Sequence, residues 1–533
     1  MSDGLATTFR VLGKTPNEAA VEVLISALDS PNRAVQDGAL EALLARRSAA
    51  CGKELLRRLH TMPPRWREIV RSRRGSVTHT LRDAILGTDR QMCVNACQAA
   101  AWFHEYDLIP TLISVLEDQS AENGDLATDT LWELVTQLYD ELAAGSKSNE
   151  GRDPQMVRRH IVTSLESSVQ RFGKHKQHEV IDSFLLLVTR DNPTLSTILK
   201  DAHHPAFVSI VEAMSNSRHG GVMRLLLSCL DDRHVPSAVV SVVGKRSDQK
   251  FVQHLLRKIG REPTTAVAQN LKRIRLIAWL PCSKEFLDRL DATAQHALVR
   301  MVMISAVPRE KAFAAIEQVL THGKPEGRRT AAAALAEFSG VDSNYLAMKV
   351  LEDPDPGVQA NVLGQLRHRG IPGILPHLIS MVDSPHAVVR EAARESLTEF
   401  TFKRFLASFD MLNEDVQRTT GNLVKKVDPQ TVPLLHEELK SKVRSRRLRA
   451  LAIVRAIDVA EQLEPTIIEL LDNSDHMVRI EVVAALAGCP TPASCQALLH
   501  ALDDSSEAVR EAAHKGIESQ IGLIRSLESM AGK

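Results

Sequence analysis

The chain has 533 residues, of which 44% are hydrophobic, 25% are charged and 4% are aromatic. Its 66 lysines and arginines equal its 66 acidic residues, so no net charge draws the protein to nucleic acid or to an anionic membrane. Aromatic side chains this scarce argue against a base-stacking platform for single-stranded nucleic acid. A chain of this length is too long to fold around a single compact hydrophobic core.

The first residues of the chain carry no apolar core of a secretion signal, and no run of about 18 apolar residues follows anywhere. We therefore expect no membrane insertion. The seven cysteines contain no CxxC pair, which favours a reducing compartment and gives no reason to expect a metal or any other cofactor. A cytoplasmic location is the expectation.

Helical repeats are predicted along the chain, in four segments. Residues 1–142 begin with an apolar stripe at helical spacing, a Ser-Pro turn and a second stripe, which together predict a helical hairpin. Residues 143–155 are small, charged and without apolar period, and this predicts a flexible loop or linker. Residues 156–290 keep helical stripes with a fading consensus, and residues 291–533 are predicted to form regular repeats with a C-terminal cap.

The period is clearest where Arg328, Gln359 and Arg390 follow one another at steps of 31 residues. The hairpin that ends at Leu397 contains two apolar stripes separated by a break, in which Ser384 and Pro385 are predicted as the N-cap and first position of the second helix. A single hairpin cannot bury both stripes, whereas stacked hairpins can. The pattern therefore predicts an all-α fold, an α-solenoid of stacked antiparallel helical hairpins.

These hairpins resemble HEAT repeats, in which an acidic turn residue precedes a Val-Arg pair that opens the second helix. Three pairs match at a spacing of seven: Asp383 with Arg390, Asp472 with Arg479, and Asp503 with Arg510. The resemblance implies a HEAT/armadillo-like superhelix in which such acids and arginines form a structural ladder from repeat to repeat. It also implies that second helices line the concave face, but the fold alone carries no particular function.

Two basic stretches are candidate binding surfaces. One lies within residues 53–77, around Pro63 and Trp66, and is interpreted either as a phosphate or acidic-partner patch or as a solvated helix face. The other is the better candidate because it falls at a turn and along a second helix, although a solvated rim is again the alternative. Its residues are Lys425, Lys426, Lys440, Lys442, Arg444, Arg446, Arg447 and Arg449.

Three functions remain open. The leading hypothesis is a non-catalytic scaffold or adaptor that binds protein partners through a curved groove. The first alternative is nucleic-acid binding through a basic patch, either as in HEAT-like DNA glycosylases, which use a basic channel with tryptophans, or by phosphate contacts. Trp132 sits on a predicted helix, where core packing is expected instead.

The second alternative is a metal-dependent HEAT-like enzyme similar to deoxyhypusine hydroxylases, which place His-Glu dipeptides at the start of second helices. His-Glu occurs at His104, His178 and His436, and none of these lies in that register. No catalytic, cofactor or metal residue is predicted.

Overall fold

The computed structural model describes residues 3–73, 75–118, 121–145 and 153–531. These residues form α-helices joined by turns and a few short 3-10 helices, and no strand occurs among them. The all-α prediction is confirmed. Of the loop predicted at 143–155, residues 146–152 lie outside the described residues, Ala143 ends a helix, and Asp153 caps the next one by accepting a hydrogen bond from the Gln155 amide at 2.9 Å.

The chain divides into two compact units, which we call the N-terminal unit (residues 1–315) and the C-terminal unit (residues 316–533). The helices of the N-terminal unit are α1 Asp3–Lys14, α2 Ala19–Leu28, α3 Arg33–Arg46, α4 Ala49–Arg57, α5 Pro64–Ser72, α6 Thr78–Leu86, α7 Arg90–Phe103, α8 Ile109–Glu117, α9 Gly124–Ala143, α10 Pro154–Gln170, α11 Phe172–His175, α12 His178–Leu187, α13 Pro193–Lys200, α14 Phe207–Asn216, α15 Gly220–Cys229, α16 Ser237–Lys245, α17 Gln249–Ile259, α18 Thr265–Leu271, α19 Lys284–Asp288 and α20 Ala292–Ile304.

The division between the units falls within α21, Arg309–His322. The helices that follow are α22 Pro325–Ala334, α23 Val341–Val350, α24 Pro356–Leu366, α25 Ile374–Met381, α26 Ala387–Ser396, α27 Phe402–Ser408, α28 Glu414–Val427, α29 Thr431–Leu439, α30 Arg444–Ile457, α31 Ala460–Glu469, α32 His476–Leu486, α33 Pro492–Ala501 and α34 Glu507–Ala531.

Helices stack by type in the C-terminal unit. The second helices α28, α30, α32 and α34 pack in succession, as do the first helices α29, α31 and α33, and each second helix also packs on the first helix of its own hairpin. Leucine, isoleucine, valine and alanine side chains fill the space between the helices, among them Leu435, Leu451, Val482 and Leu498. Burying each hairpin against its neighbours removes the stripes from water, and the α-solenoid prediction is confirmed.

Many second helices begin where the sequence supplies a side-chain cap. Asp355 accepts hydrogen bonds from the Gly357 and Val358 amides, and Asp475 accepts one from the Met477 amide. The predicted cap at Ser384 is wrong. Helix α26 begins at Ala387, its N-cap residue is His386, and Ser384 Oγ accepts from the His386 amide at 3.3 Å, so the serine closes the turn before the helix.

The arginine or glutamine near the start of a second helix hydrogen-bonds to a backbone carbonyl of the preceding turn. Arg390 Nη1 donates to the Ser384 carbonyl at 2.8 Å, and Gln359 Nε2 donates to that of Asp353 at 2.8 Å. The same bond, six residues back along the chain, is made by Gln36 to Ser30, Arg447 to Ser441, Arg479 to Asn473 and Arg510 to Asp504. Because guanidinium and carboxamide groups both supply N–H donors, glutamine replaces arginine at this position.

The acids seven residues before these arginines do not occupy the ladder position that the resemblance to HEAT repeats implies. Asp383, Asp472 and Asp503 are exposed, and Asp383 accepts from Lys426 Nζ at 2.7 Å. The acid lies at the end of the first helix and faces solvent, whereas the guanidinium folds over the turn.

The Arg479 guanidinium instead pairs with Asp504 of the following repeat and donates two hydrogen bonds of 2.8 Å to its carboxylate. This pairing lowers the pKa of the Asp504 carboxyl and raises the pKa of Arg479. Arg328 pairs in the same way with Asp353, 25 residues later.

Candidate binding site

The basic stretch predicted as a binding patch lies at the end of α28, in the turn after α29 and along α30. Most of its charges are used inside the C-terminal unit. Lys425 donates to the carbonyl oxygens of Ile457 and Asp458, both at 3.1 Å, and thereby caps the C-terminal end of α30. Arg447 closes the turn at Ser441, as described above.

The remaining charges of this stretch meet carboxylates that come largely from other helices. Arg444 pairs with Asp475 at 2.5 Å, Arg446 with Glu438 at 2.7 Å, Arg449 with Asp410 at 2.6 Å, and Lys426 with Asp383. Lys440 and Lys442 are exposed, and no acidic partner lies next to either within the described residues. The structure thus turns most of this patch into an ion-pair network. Its role in binding stays a prediction, now carried mainly by the two lysines.

Several arginines of the first basic stretch are paired in a similar way. Arg58 pairs with Asp29 and Glu54, Arg65 with Asp37, and Arg73 with Glu41. The Arg67 guanidinium stacks 3.7 Å from the centroid of the Trp102 ring. These contacts favour the interpretation of a helix face held to its neighbours.

A different surface has the shape of a binding site. In the N-terminal unit α12 packs on α9, α14 and α15, and two cavities of about 410 and 620 Å³ open beside these helices. Both volumes lie within the range of about 300–1,000 Å³ typical of ligand pockets. Tyr139 lines the smaller cavity and His219 lines the larger one, and their ring centroids are 5.2 Å apart. The two cavities therefore adjoin, and together we call them the N-terminal groove.

Helical spacing explains how the groove is built. Trp132 and Tyr139 are seven residues apart on α9, and His178, Asp182 and Leu186 follow at steps of four on α12, so each set occupies one helix face. Seven helical residues span about 10 Å, so Trp132 and Tyr139 are about 10 Å apart along α9. Roughly three residues of an extended peptide cover this distance.

Gly221 on α15 allows the close approach of α9 and α12 at this point. A Cβ atom at Gly221 would collide with Leu186 Cδ1 and with the ring of Tyr139. Because Gly221 has no side chain, Leu186 and the Tyr139 ring can meet over the first residues of α15.

The smaller cavity, which we call the Tyr139 cavity, combines an apolar floor with cationic walls. Its floor includes Leu142, Leu186, Val188 and Leu225. Three arginines, Arg158, Arg190 and Arg224, line it as well, together with the exposed carboxylate of Asp191, whose Oδ1 lies 3.6 Å from Arg190 Nε. Arg190 is paired with Asp231 at 3.3 Å, so its charge is already balanced.

Among the described residues, the other two arginines of this cavity contact only neutral groups. Arg158 Nε donates to the Leu187 carbonyl at 2.7 Å and Nη1 to Gln155, both neutral acceptors, and burial lowers the pKa of this guanidinium. The Arg224 guanidinium lies 5.5 Å from the centroid of the Tyr139 ring and is exposed. In the part of the chain that the structure describes, neither arginine has a carboxylate partner.

The larger cavity, which we call the Trp132 cavity, is more polar. It is lined by Trp132, His178, Asp182, Glu212 and His219 among others. The Trp132 side chain is 37% exposed, so the expectation that it packs in the core is wrong. It contacts the edge of His219 at a centroid distance of 5.9 Å, while burial lowers the pKa of His219 and raises that of Asp182.

Sequence reasoning did not find this groove, because its residues come from helices that are far apart in the chain and lie largely in the segment with a fading consensus. The available signal was the pair of glycines, Gly220 and Gly221, at a helix start. Glycine at such a position indicates a close approach of neighbouring groups.

The described ranges hold neither a candidate metal cluster nor a candidate membrane-spanning helix. No group of three or more histidine, cysteine, aspartate or glutamate side chains there is placed to hold a metal ion. No helix in the same ranges has the length and apolar character needed to cross a membrane. The cysteines that the structure describes are free thiols.

A family model for HEAT repeats matches residues 313–398 and 429–518. No curated protein matches the chain.

Three of the solved structures similar to this chain share little sequence identity with it. An engineered protein is 15% identical, with 94% of this chain and 98% of that chain covered and a TM-score of 0.18. Importin beta is 12% identical over 99% of this chain and 73% of its own, with a TM-score of 0.26. Kap121p bound to Pho4p is 14% identical, with a TM-score of 0.24; 96% of this chain is covered, and the chain spans about half (53%) of that protein. TM-scores this low support no argument about fold or function.

Proposed function

We propose, from the premise that this chain is a HEAT-repeat protein, that it is a non-catalytic scaffold whose N-terminal groove binds an extended segment of a protein partner. The observation that carries the proposal is the combination in one surface of an apolar floor, accessible aromatic rings and two cations, Arg158 and Arg224, that have no carboxylate partner among the described residues. Aromatic and arginine side chains dominate the binding energy of protein interfaces.

The dimensions of the groove suit an extended segment. Its two cavities adjoin at the Tyr139–His219 contact, so a single partner segment that occupies one cavity can reach the other. Side chains two residues apart in an extended peptide point to the same face, and this lets alternate residues enter the surface. The proposed location is the cytoplasm, in keeping with the free thiols.

Affinity capture with matched charge variants tests this role. The groove variant, Arg158→Gln with Arg224→Gln, removes two positive charges from the Tyr139 cavity. The control variant, Arg159→Gln with Arg257→Gln, removes two from exposed positions on α10 and α17. Each variant is compared with the unaltered chain by quantitative mass spectrometry of the captured proteins, after thermal unfolding has shown equal stability.

We expect one or a few proteins to be enriched by the unaltered chain and by the control, and to fall at least about tenfold with the groove variant, since a lost charge-assisted contact is worth about 1.5–3 kcal/mol. Equal capture by all three chains would contradict the proposed groove.

A further inference from the structure

The Tyr139 cavity has features that specify more than a generic peptide. Its apolar floor has room for one large aliphatic or aromatic side chain, and Arg158 and Arg224 both line the same cavity. Arg158 is half-buried and spends its known hydrogen bonds on neutral acceptors. A ligand that fits this cavity therefore presents an apolar group and an anion close together.

The anion that suits two guanidinium groups is a carboxylate. Planar guanidinium and carboxylate groups form two parallel hydrogen bonds, and these are stronger than bonds between neutral groups. The partly buried position of Arg158 strengthens such a contact, because water competes less for the charges and the dielectric constant is lower. Arg224 is exposed and free to turn from the Tyr139 ring towards the ligand.

The geometry of an extended chain limits where this carboxylate comes from. Neighbouring side chains in an extended peptide point to opposite faces, so an aspartate or glutamate next to the apolar residue points away from the cavity, and one two residues along lies on the same face but is attached roughly 7 Å further on. The terminal residue of a chain is different, because its carboxylate and its side chain are attached to the same Cα atom. One residue then satisfies both the floor and the arginines.

We infer that the Tyr139 cavity binds the C-terminal residue of the partner, an apolar residue with a free α-carboxylate held by Arg158 and Arg224. The inference rests on the proposed scaffold function and names the chemistry that the groove recognises. The penultimate residues of the partner then run along α9 and α12 towards the Trp132 cavity, which lies about 10 Å away along α9.

Two synthetic peptides that differ only at the terminus test this inference. Acetyl-Gly-Ser-Ala-Leu with a free C-terminal acid is compared with the same peptide as the C-terminal amide. Binding to the full chain is followed by the methyl NMR signals of Leu142, Leu186 and Leu225, which line the cavity. We expect the acid to bind at least about tenfold more tightly than the amide, and the preference to fall close to unity in Arg158→Gln with Arg224→Gln.

A control chain and two further ligands distinguish a terminal carboxylate from other carboxylates. The control chain, Arg159→Gln with Arg257→Gln, is expected to keep the preference for the acid. An amidated peptide with an internal aspartate, acetyl-Gly-Leu-Ala-Asp-Gly-amide, and octanoate, a free aliphatic acid, are both expected to bind at least about tenfold more weakly than the tetrapeptide acid.

Equal binding of acid and amide would overturn the inference, as would a tighter complex with the internal-aspartate peptide or with octanoate. The scaffold proposal is tested separately. If capture of the native partner still depends on Arg158 and Arg224 while the acid and amide peptides bind alike, only the terminal-carboxylate inference fails.

Discussion

Replacing Arg246 with methionine is expected to lower the free energy of unfolding of the N-terminal unit by about 3 kcal/mol. Arg246 follows α16 and is 3% exposed. Its Nη1 and Nη2 donate to the carbonyls of Met214 and Ser217 at the end of α14, both at 2.9 Å, and its Nε donates to Asp248, the N-cap of α17, also at 2.9 Å. Methionine keeps much of the side-chain volume and leaves these three acceptors without a donor.

The measurement is hydrogen exchange of the backbone amides in α14 and α17, together with urea unfolding. Hydrogen exchange is preferred because stacked repeats do not always unfold in a single transition. Arg257→Met is the matched control, since Arg257 is exposed on α17 in the same unit, and we expect a change within about 0.5 kcal/mol. Similar exchange in both variants would show that Arg246 does not hold these helices together.

A single added methyl group at Gly244 is expected to destabilise the N-terminal unit by roughly 1–3 kcal/mol. In Gly244→Ala, the new Cβ collides with the backbone carbonyl oxygen of Leu276 and lies 3.1 Å from Ile274 Cγ2. The Gly244 carbonyl also accepts a hydrogen bond from the Ala278 amide at 2.8 Å, so the segment cannot move away without losing that bond. Chemical denaturation of the variant gives the change in free energy.

Gly364→Ala is the control for this substitution, and we expect it to change stability in the opposite direction. Gly364 is exposed on α24, and no atom lies within 4 Å of the position of an added Cβ. Alanine in a helix interior is favoured over glycine by about 0.5–1 kcal/mol. If both variants were destabilised to the same extent, the close approach at Gly244 would not explain the result.

The repeat architecture was predictable because it depends on patterns that are local in the sequence. Apolar residues at helical spacing and a recurring turn define each hairpin, and Arg328, Gln359 and Arg390 mark the period. The hydrogen bonds that these three residues make were harder to predict from the sequence. Their hydrogen-bond acceptor is a backbone carbonyl, which has no sequence signature, and the acid seven residues earlier suggested an ion pair that the structure replaces with others.

The candidate site was harder to predict than the fold for a related physical reason. A run of basic residues such as 440–449 suggests a free positive surface, but the carboxylates that pair with Arg444 and Arg449 belong to other hairpins. The N-terminal groove has the opposite property. Arg158 and Arg224 are far apart in sequence and have no carboxylate partner among the described residues, and the cavities exist only once α9, α12 and α15 have packed around Gly221.

Photo-crosslinking at Trp132 tests the groove most directly. A benzoylphenylalanine in place of Trp132 sits in the Trp132 cavity. The same residue in place of Leu86 sits on α6, outside the groove. Leu86 is 57% exposed and Trp132 is 37% exposed. Random collisions therefore favour the Leu86 position. We expect irradiation to join a partner to position 132 and not to position 86, with the crosslinked peptide ending at the partner's C-terminus. Crosslinks of equal yield at both positions, or only at position 86, would contradict the account.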